Sequence, residues 1–242
     1  MLCVTSGKGG VGKTSLTVNM AFALSRQGHR VLIVDGDLGL ANIDVLLALN
    51  VKQTIRDVLE RGGDPMEAVV YVEPNLGILP ASSGVPEMVA LGPDDQQQLG
   101  DILGSISAHF DYVLLDTAAG IGSSVLWFNS FAARNIVVVT PDPTSLTDAY
   151  ALIKVLSRDY GLDSFYLLIN QVASEQEGRQ TYETLSRVAK QFLNLDTTFL
   201  GAIPQDKAVT RAVREQSPFV LEAPQSKAAQ AILQVAARVA GL

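Results

Sequence analysis

Reactive sulfur is almost absent from this sequence, whose only cysteine is Cys3. One thiol closes no intrachain disulfide and builds no four-thiolate cluster within a chain, and its place in an apolar run reads as a small core residue. Histidine is nearly as scarce. His29 and His109 flank turns and have no metal-ligand companions at useful spacing, so neither is assigned any chemistry. Positive charge is in deficit: 18 Lys and Arg face 25 Asp and Glu, and a net charge of -7 disfavours broad attraction to DNA or to an anionic membrane. No apolar stretch nears the roughly 20 residues a bilayer span requires, and no charged n-region leads into an apolar h-region. A cytoplasmic protein is expected. Repeats, low-complexity runs and linker-like stretches are missing too, so residues 1–242 read as a single domain.

What the chain does have is apolar material, 48% of its residues, enough for a sheet buried on both faces. Short apolar runs at 2–5, 31–35, 112–116, 136–140, 165–170 and 198–203 are each followed by a segment of helical length. That alternation predicts an α/β fold: one doubly wound, mostly parallel sheet with helices on both faces and ligands beyond the carboxyl ends of the strands. Residues 50–110 are less regular, with helical stretches at 54–61 and 94–109 around a strand at 76–79. Three polar or glycine-rich stretches, 7–14, 35–44 and 116–122, directly follow a strand. The chemistry is expected there.

The first is Gly7-Lys8-Gly9-Gly10-Val11-Gly12-Lys13-Thr14, which satisfies G-x-x-x-x-G-K-[ST] between a strand and a helix beginning near Thr14. Glycines let backbone N–H groups converge on phosphate oxygens, and the helix N-terminus, with Ser15 in its first turn, favours negative charge. Lys13 would reach the β and γ phosphates of a nucleotide, and the Thr14 hydroxyl would ligate Mg²⁺. The second stretch, Asp35 to Asp44, brings carboxylates close to the same phosphates. Carboxylates beside a polyanion repel it unless they engage Mg²⁺ or a water. The third begins at Asp116, placed as the carboxylate that holds Mg²⁺ through water. For Asp37 and Asp116 a helix cap is the alternative reading, and for Lys8 a solvated loop lysine.

Lys8, inside Lys8-Gly9-Gly10-Val11-Gly12-Lys13-Thr14, resembles the extra lysine of the deviant Walker motif in the MinD/ParA ATPase family. The resemblance implies an ATP-dependent homodimer in which Lys8 crosses to the nucleotide of the other subunit. It also implies that Asp37 orients the attacking water, that Asp35 lies near the metal, and that Asn170, Pro204 and Asp206 flank the adenine. Asn170 and Asp206 are open to a plainer reading, as turn residue and helix cap. ATP or ADP and Mg²⁺ are the expected ligands, and slow hydrolysis acting as a timer the expected activity.

Within that family the chain is most similar to the MinD-like flagellar-number regulators, the FlhG or FleN group. The residues that carry this are Asp37-Leu38-Gly39-Leu40-Ala41-Asn42-Ile43-Asp44-Val45-Leu46-Leu47, Asp116-Thr117-Ala118-Ala119-Gly120-Ile121, and Thr140-Pro141-Asp142-Pro143-Thr144-Ser145-Leu146-Thr147-Asp148-Ala149-Tyr150. A flagellar role is therefore expected, with an FlhF-like GTPase or a flagellar component as protein partner. Cell-division regulators of the MinD type, which usually have Ser-Pro where this chain has Thr117-Ala118, are the alternative. A metabolic enzyme of the dethiobiotin synthetase-like class is a more distant one. Specific DNA binding is not expected, because Lys207, Arg211, Arg214 and Lys227 are interleaved with Asp206, Glu215 and Glu222. Nor does a nitrogenase-like cluster fit a lone cysteine.

Two departures stand out. Such regulators usually carry an N-terminal activating extension, whereas this sequence starts just before its first strand. They also usually end in an amphipathic membrane helix. Residues 226–240 have small apolar side chains, no aromatic and only Lys227 and Arg238 as basic residues, which suits a packed final helix better than an interfacial anchor. Peripheral attachment at the inner membrane face is compatible with the family but unsupported by this terminus. Trp127 and Phe128, after the third stretch, are read as core packing, with a partner surface as the alternative.

Overall fold

The computed structural model describes residues 1–39, 41–81 and 92–242; Leu40, part of the quoted run, lies outside them. In chain order the described elements are β1 (Leu2–Ser6), α1 (Lys13–Arg26), β2 (Val31–Gly36), α2 (Ile43–Leu46), α3 (Ile55–Arg61), a 3₁₀ turn (Pro65–Ala68), β3 (Val70–Glu73) and β4 (Leu76–Leu79). There follow α4 (Pro93–Ser107), β5 (Tyr112–Ala119), α5 (Ser123–Phe131), β6 (Arg134–Val139), α6 (Pro143–Tyr160), β7 (Phe165–Val172), α7 (Glu175–Leu193), β8 (Thr197–Pro204), α8 (Lys207–Arg214), α9 (Phe219–Glu222) and α10 (Lys227–Ala240).

The eight strands form one sheet in the order β3-β4-β2-β5-β1-β6-β7-β8. Every pairing is parallel except the edge pair β3–β4. Strand side chains alternate between the two faces. Val4, Ile33, Leu114, Ile136 and Leu168 pack under α1, α9 and α10, while Cys3, Leu32, Val34, Leu115, Val137 and Ile169 pack with α3 to α7. With both faces covered, β1 and β2 are buried along their whole lengths, which is why their sequences are continuous apolar runs.

The antiparallel edge strand β3 departs from the sequence expectation. Its side chains are half-buried or exposed, so no apolar run announces it, and a short Pro74-Asn75 turn leads into β4. A second departure is the length of β5. Its register pairs Gly36 with Thr117 and Ser6 with Ala119, so the strand continues past Asp116, held by a neighbour on each side.

The final helix packs on the sheet. Ala228, Ala229, Ile232, Val235, Ala236 and Val239 are its buried face, at helical spacing, and the missing side chain of Gly201 in β8 lets it come close: a Cβ there would lie 2.7 Å from Val235 Cγ2. Among the described residues no helix is long and apolar enough to cross a membrane. Cys3 is fully buried, and burial pushes its thiol far above the usual range. Phe128 is fully buried; Trp127 is half-buried, stacked on Phe131 and edge-on to Phe128.

Candidate functional site

The chain leaves β1 into a loop whose geometry only glycine permits at three points. Gly10 and Gly12 have φ of 78° and 87°, in the left-handed region, and a Cβ on Gly7 would fall 2.2 Å from the Asp148 carbonyl oxygen. Gly12 is also the N-cap of α1 and supplies no side-chain acceptor, so the first N–H groups of that helix remain available to an anion. Around this loop is a cavity of about 230 Å³ lined by Ser6, residues 8–15, Asp37, Asn42 and Ala119. Topology therefore brings Lys8, Lys13, Thr14, Ser15 and Asp37 to one place.

Beneath the loop is a buried polar cluster. Lys13, only 8% exposed, points its Nζ at Asp116 Oδ1 across 3.3 Å, and the Thr17 hydroxyl donates to the same oxygen at 3.0 Å. A buried ammonium is tolerated only when paired, and this one, at the start of α1, has the buried Asp116 carboxylate as its partner. The cradle fits the phosphate groups of a nucleotide. Among the described residues no group of three or more His, Cys, Asp or Glu gathers as a metal cage. Mg²⁺ is typically held by one or two protein oxygens plus substrate phosphates and water, and Thr14 and Asp116 are the residues that would offer such oxygens.

Asp35, next to Asp116 in the β2–β5 register, is 1% exposed. Burial first, and the Asp116 charge second, push its carboxyl up to about 7, against three backbone amides that favour the ionised form. Those amides belong to Asp37, Asn42 and Ile43, at 3.1, 3.1 and 3.3 Å.

At the loop's other flank Lys8 is engaged within its own chain: its Nζ lies 2.7 Å from Asp142 Oδ2 and also contacts the Thr144 hydroxyl. Asp142 caps α6 through the Thr144 amide, and Lys8 first, then Thr144, pull its carboxyl down to about 2. The expected base-flanking residues line a separate cavity of about 810 Å³, between Gly12, Ser15 and Leu16 on one side and Asn170, Pro204 and Asp206 on the other. Asn170 ties β7 to the loop, its Nδ2 donating to the Val11 carbonyl at 2.7 Å. Asp206 lines this cavity and also has the capping role. One oxygen accepts from Ala208 at the start of α8 and the other from Ala228 at the start of α10.

Four residues here are given no role at the site by the sequence, although Asp142 and Thr144 lie in the run 140–150 that carries the resemblance. Thr17 lies one turn after Lys13 on the inward face of α1, a spacing that could have flagged it. Asp142 and Thr144 approach Lys8 across more than 130 residues of chain, with no local signal. Gln171 occupies the left-handed region at φ 59° where β7 passes the larger cavity.

A sequence profile of the ParA family, described as NUBPL iron-transfer P-loop NTPase, matches residues 1–240. The chain belongs to the ParA/MinD family of P-loop NTPases. Among curated relatives in this family, the antiactivator FleN of Pseudomonas aeruginosa is 44% identical over 239 residues, covering 99% of this chain and 85% of FleN. The flagellum site-determining protein YlxH of Helicobacter pylori is 37% identical over 237 residues, 97% of this chain and 80% of YlxH. Among solved members, the septum site-determining protein MinD of Pyrococcus horikoshii, complexed with Mg-ADP, superposes with a TM-score of 0.82 at 27% identity, covering 98% of this chain and 94% of that one. The eight-stranded, mostly parallel sheet is thus the MinD-like P-loop NTPase fold.

Proposed function

We propose that this protein is an ATPase that pairs with a second copy when ATP is bound, hydrolyses it slowly, and in the paired state regulates flagellar number or placement. The observation that carries the ATPase reading is the convergence of Lys8, Lys13 and Asp37 on one loop-lined cavity at the end of β1. The flagellar part rests on likeness to FleN and YlxH.

In this reading the amides of the Gly7–Thr14 loop and the first turn of α1 bind the phosphates, and Lys13 neutralises charge on the β and γ groups. Binding would then redirect the Lys13 ammonium from Asp116 towards phosphate, leaving the Asp116 carboxylate able to help hold Mg²⁺. Mg²⁺, held by Thr14 and through water by Asp116, would neutralise phosphate charge. Asp37 holds a water in line with the terminal phosphorus; its oxygen bonds to phosphorus as the bridge to the β-phosphate breaks, giving ADP and phosphate. Lys8 must leave Asp142 to reach the nucleotide of the partner subunit. Asn170 and Pro204 flank the base, while Asp206 shapes that cavity by fixing α8 and α10.

Mass measurement in solution with ADP, ATP and a non-hydrolysable analogue tests the switch. Wild type should be monomeric with ADP and dimeric with the analogue, and Lys8→Ala should stay monomeric. A wild-type monomer in all three conditions sinks this reading. An FlhF-like GTPase or a flagellar component is the proposed partner, to be sought with the analogue-locked dimer. A septum-site role is the second reading, favoured by the likeness to MinD. Deleting the gene separates them: altered flagellar number supports the first, and misplaced septa with normal flagella the second.

A further inference from the structure

Asp35 has more hydrogen bonds to its own chain than a metal ligand needs, and they all run the same way. Its Oδ1 accepts from the Asp37 amide, and its Oδ2 from the amides of Asn42 and Ile43 at the entrance to α2. The three donors enclose the segment that carries Asp37, so one side chain anchored in β2 holds both ends of that segment. Its neighbour Asp116 is bonded quite differently, to the Lys13 ammonium and the Thr17 hydroxyl beneath the phosphate loop. The two carboxylates sit side by side in register yet face different tasks. Amide hydrogen bonds to a carboxyl group strengthen as it ionises, and the three here restrict Asp37, Asn42 and Ile43 before substrate arrives.

We propose that Asp35 is a positioning residue rather than a metal ligand: its carboxyl group fastens Asp37, Asn42 and Ile43 to the end of β2 and so sets where Asp37 stands. The inference rests on the reading of Asp37 as the residue that orients the attacking water. Asp35→Asn replaces one accepting oxygen by an NH₂ group that meets the amides donor to donor, with little change in volume.

Three measurements on the full chain decide the matter: amide hydrogen exchange of residues 36–44 without nucleotide, the Mg²⁺ concentration giving half-maximal ADP binding, and kcat for ATP. For Asp35→Asn we expect exchange at Asn42 and Ile43 to rise about 10- to 100-fold and kcat to fall about 10- to 100-fold, with the Mg²⁺ requirement unmoved. Asp37→Ala should lose kcat with exchange at Asn42 and Ile43 unchanged. A Mg²⁺ requirement raised about tenfold or more in Asp35→Asn, with exchange unchanged, makes Asp35 a ligand and overturns the proposal. Should that variant fail to fold, wild type alone suffices: exchange at Asn42 and Ile43 at the random-coil rate refutes the fastening, and protection upholds it. If wild type hydrolyses no ATP, the ATPase reading fails separately, and the exchange data still judge the loop.

Discussion

Single side chains in this molecule hold together elements that are far apart in sequence. Asp206 caps two helices at once, α8 through one oxygen and α10 through the other. Replacing it with Ala should cost about 1–2 kcal/mol, read from urea unfolding. Its carboxyl is held below the usual range by the Ala208 amide first, with burial opposing. A depressed acid stabilises the fold above its unfolded pKa, and that contribution disappears as pH falls through the folded value. The gap between wild type and Asp206→Ala should therefore be constant from pH 5 to 7 and close only below about 4. Asp142 is a different case, because its pair with Lys8 is solvent-exposed on both sides and adds little stability. Asp142→Ala should lower the melting temperature modestly, through the lost cap of α6, while releasing Lys8, so less ATP is needed for half-maximal dimer formation. Light scattering across an ATP titration measures this.

The contact of β8 with α10 is a tight joint between elements. A side chain at Gly201 would collide with Val235, so Gly201→Val should cost about 1–3 kcal/mol by overpacking, with the urea m-value unchanged. How far such elements are legible in sequence depends on what buries them. β1 and β2 are covered on both faces, so they appear as unbroken apolar runs and fall within one residue of their expected ends. β3 is a half-exposed edge strand and has no such run. The extension of β5 through Thr117–Ala119 is written in small residues with no strand signature, and only its pairing with β1 and β2 reveals it. The phosphate loop was readable because its motif is local and its glycines are required by backbone geometry. The bonds made by Lys8 and Asp35, and the reach of Asp206 to a second helix, were not, since a sequence gives residue types near a site but not which acceptor each donor finds.

At the scale of the whole molecule, a ligand that binds only the folded state raises stability by mass action. Saturating the protein with Mg-ADP at about 100 times its dissociation constant should add about 2.7 kcal/mol, roughly 5–10 °C in melting temperature for a chain of this size. Lys13→Ala should abolish that shift while still folding, as measured by calorimetry with and without nucleotide. The overall charge of -7 further implies that any acidic partner must be met by a local patch, so weakening of such a complex should be steep with salt.

The molecule also contains its own optical probe. Trp127 is the only tryptophan, and its ring lies 5.1 Å from Phe131 at an angle of 16° on the helix that begins immediately after Gly120–Gly122. Any rearrangement of that glycine-flanked turn on nucleotide binding is transmitted first to α5 and thus to the environment of one emitter. Stopped-flow fluorescence can therefore time the conformational step in the unlabelled protein, separately from phosphate release, with the Trp127→Phe variant as its dark control.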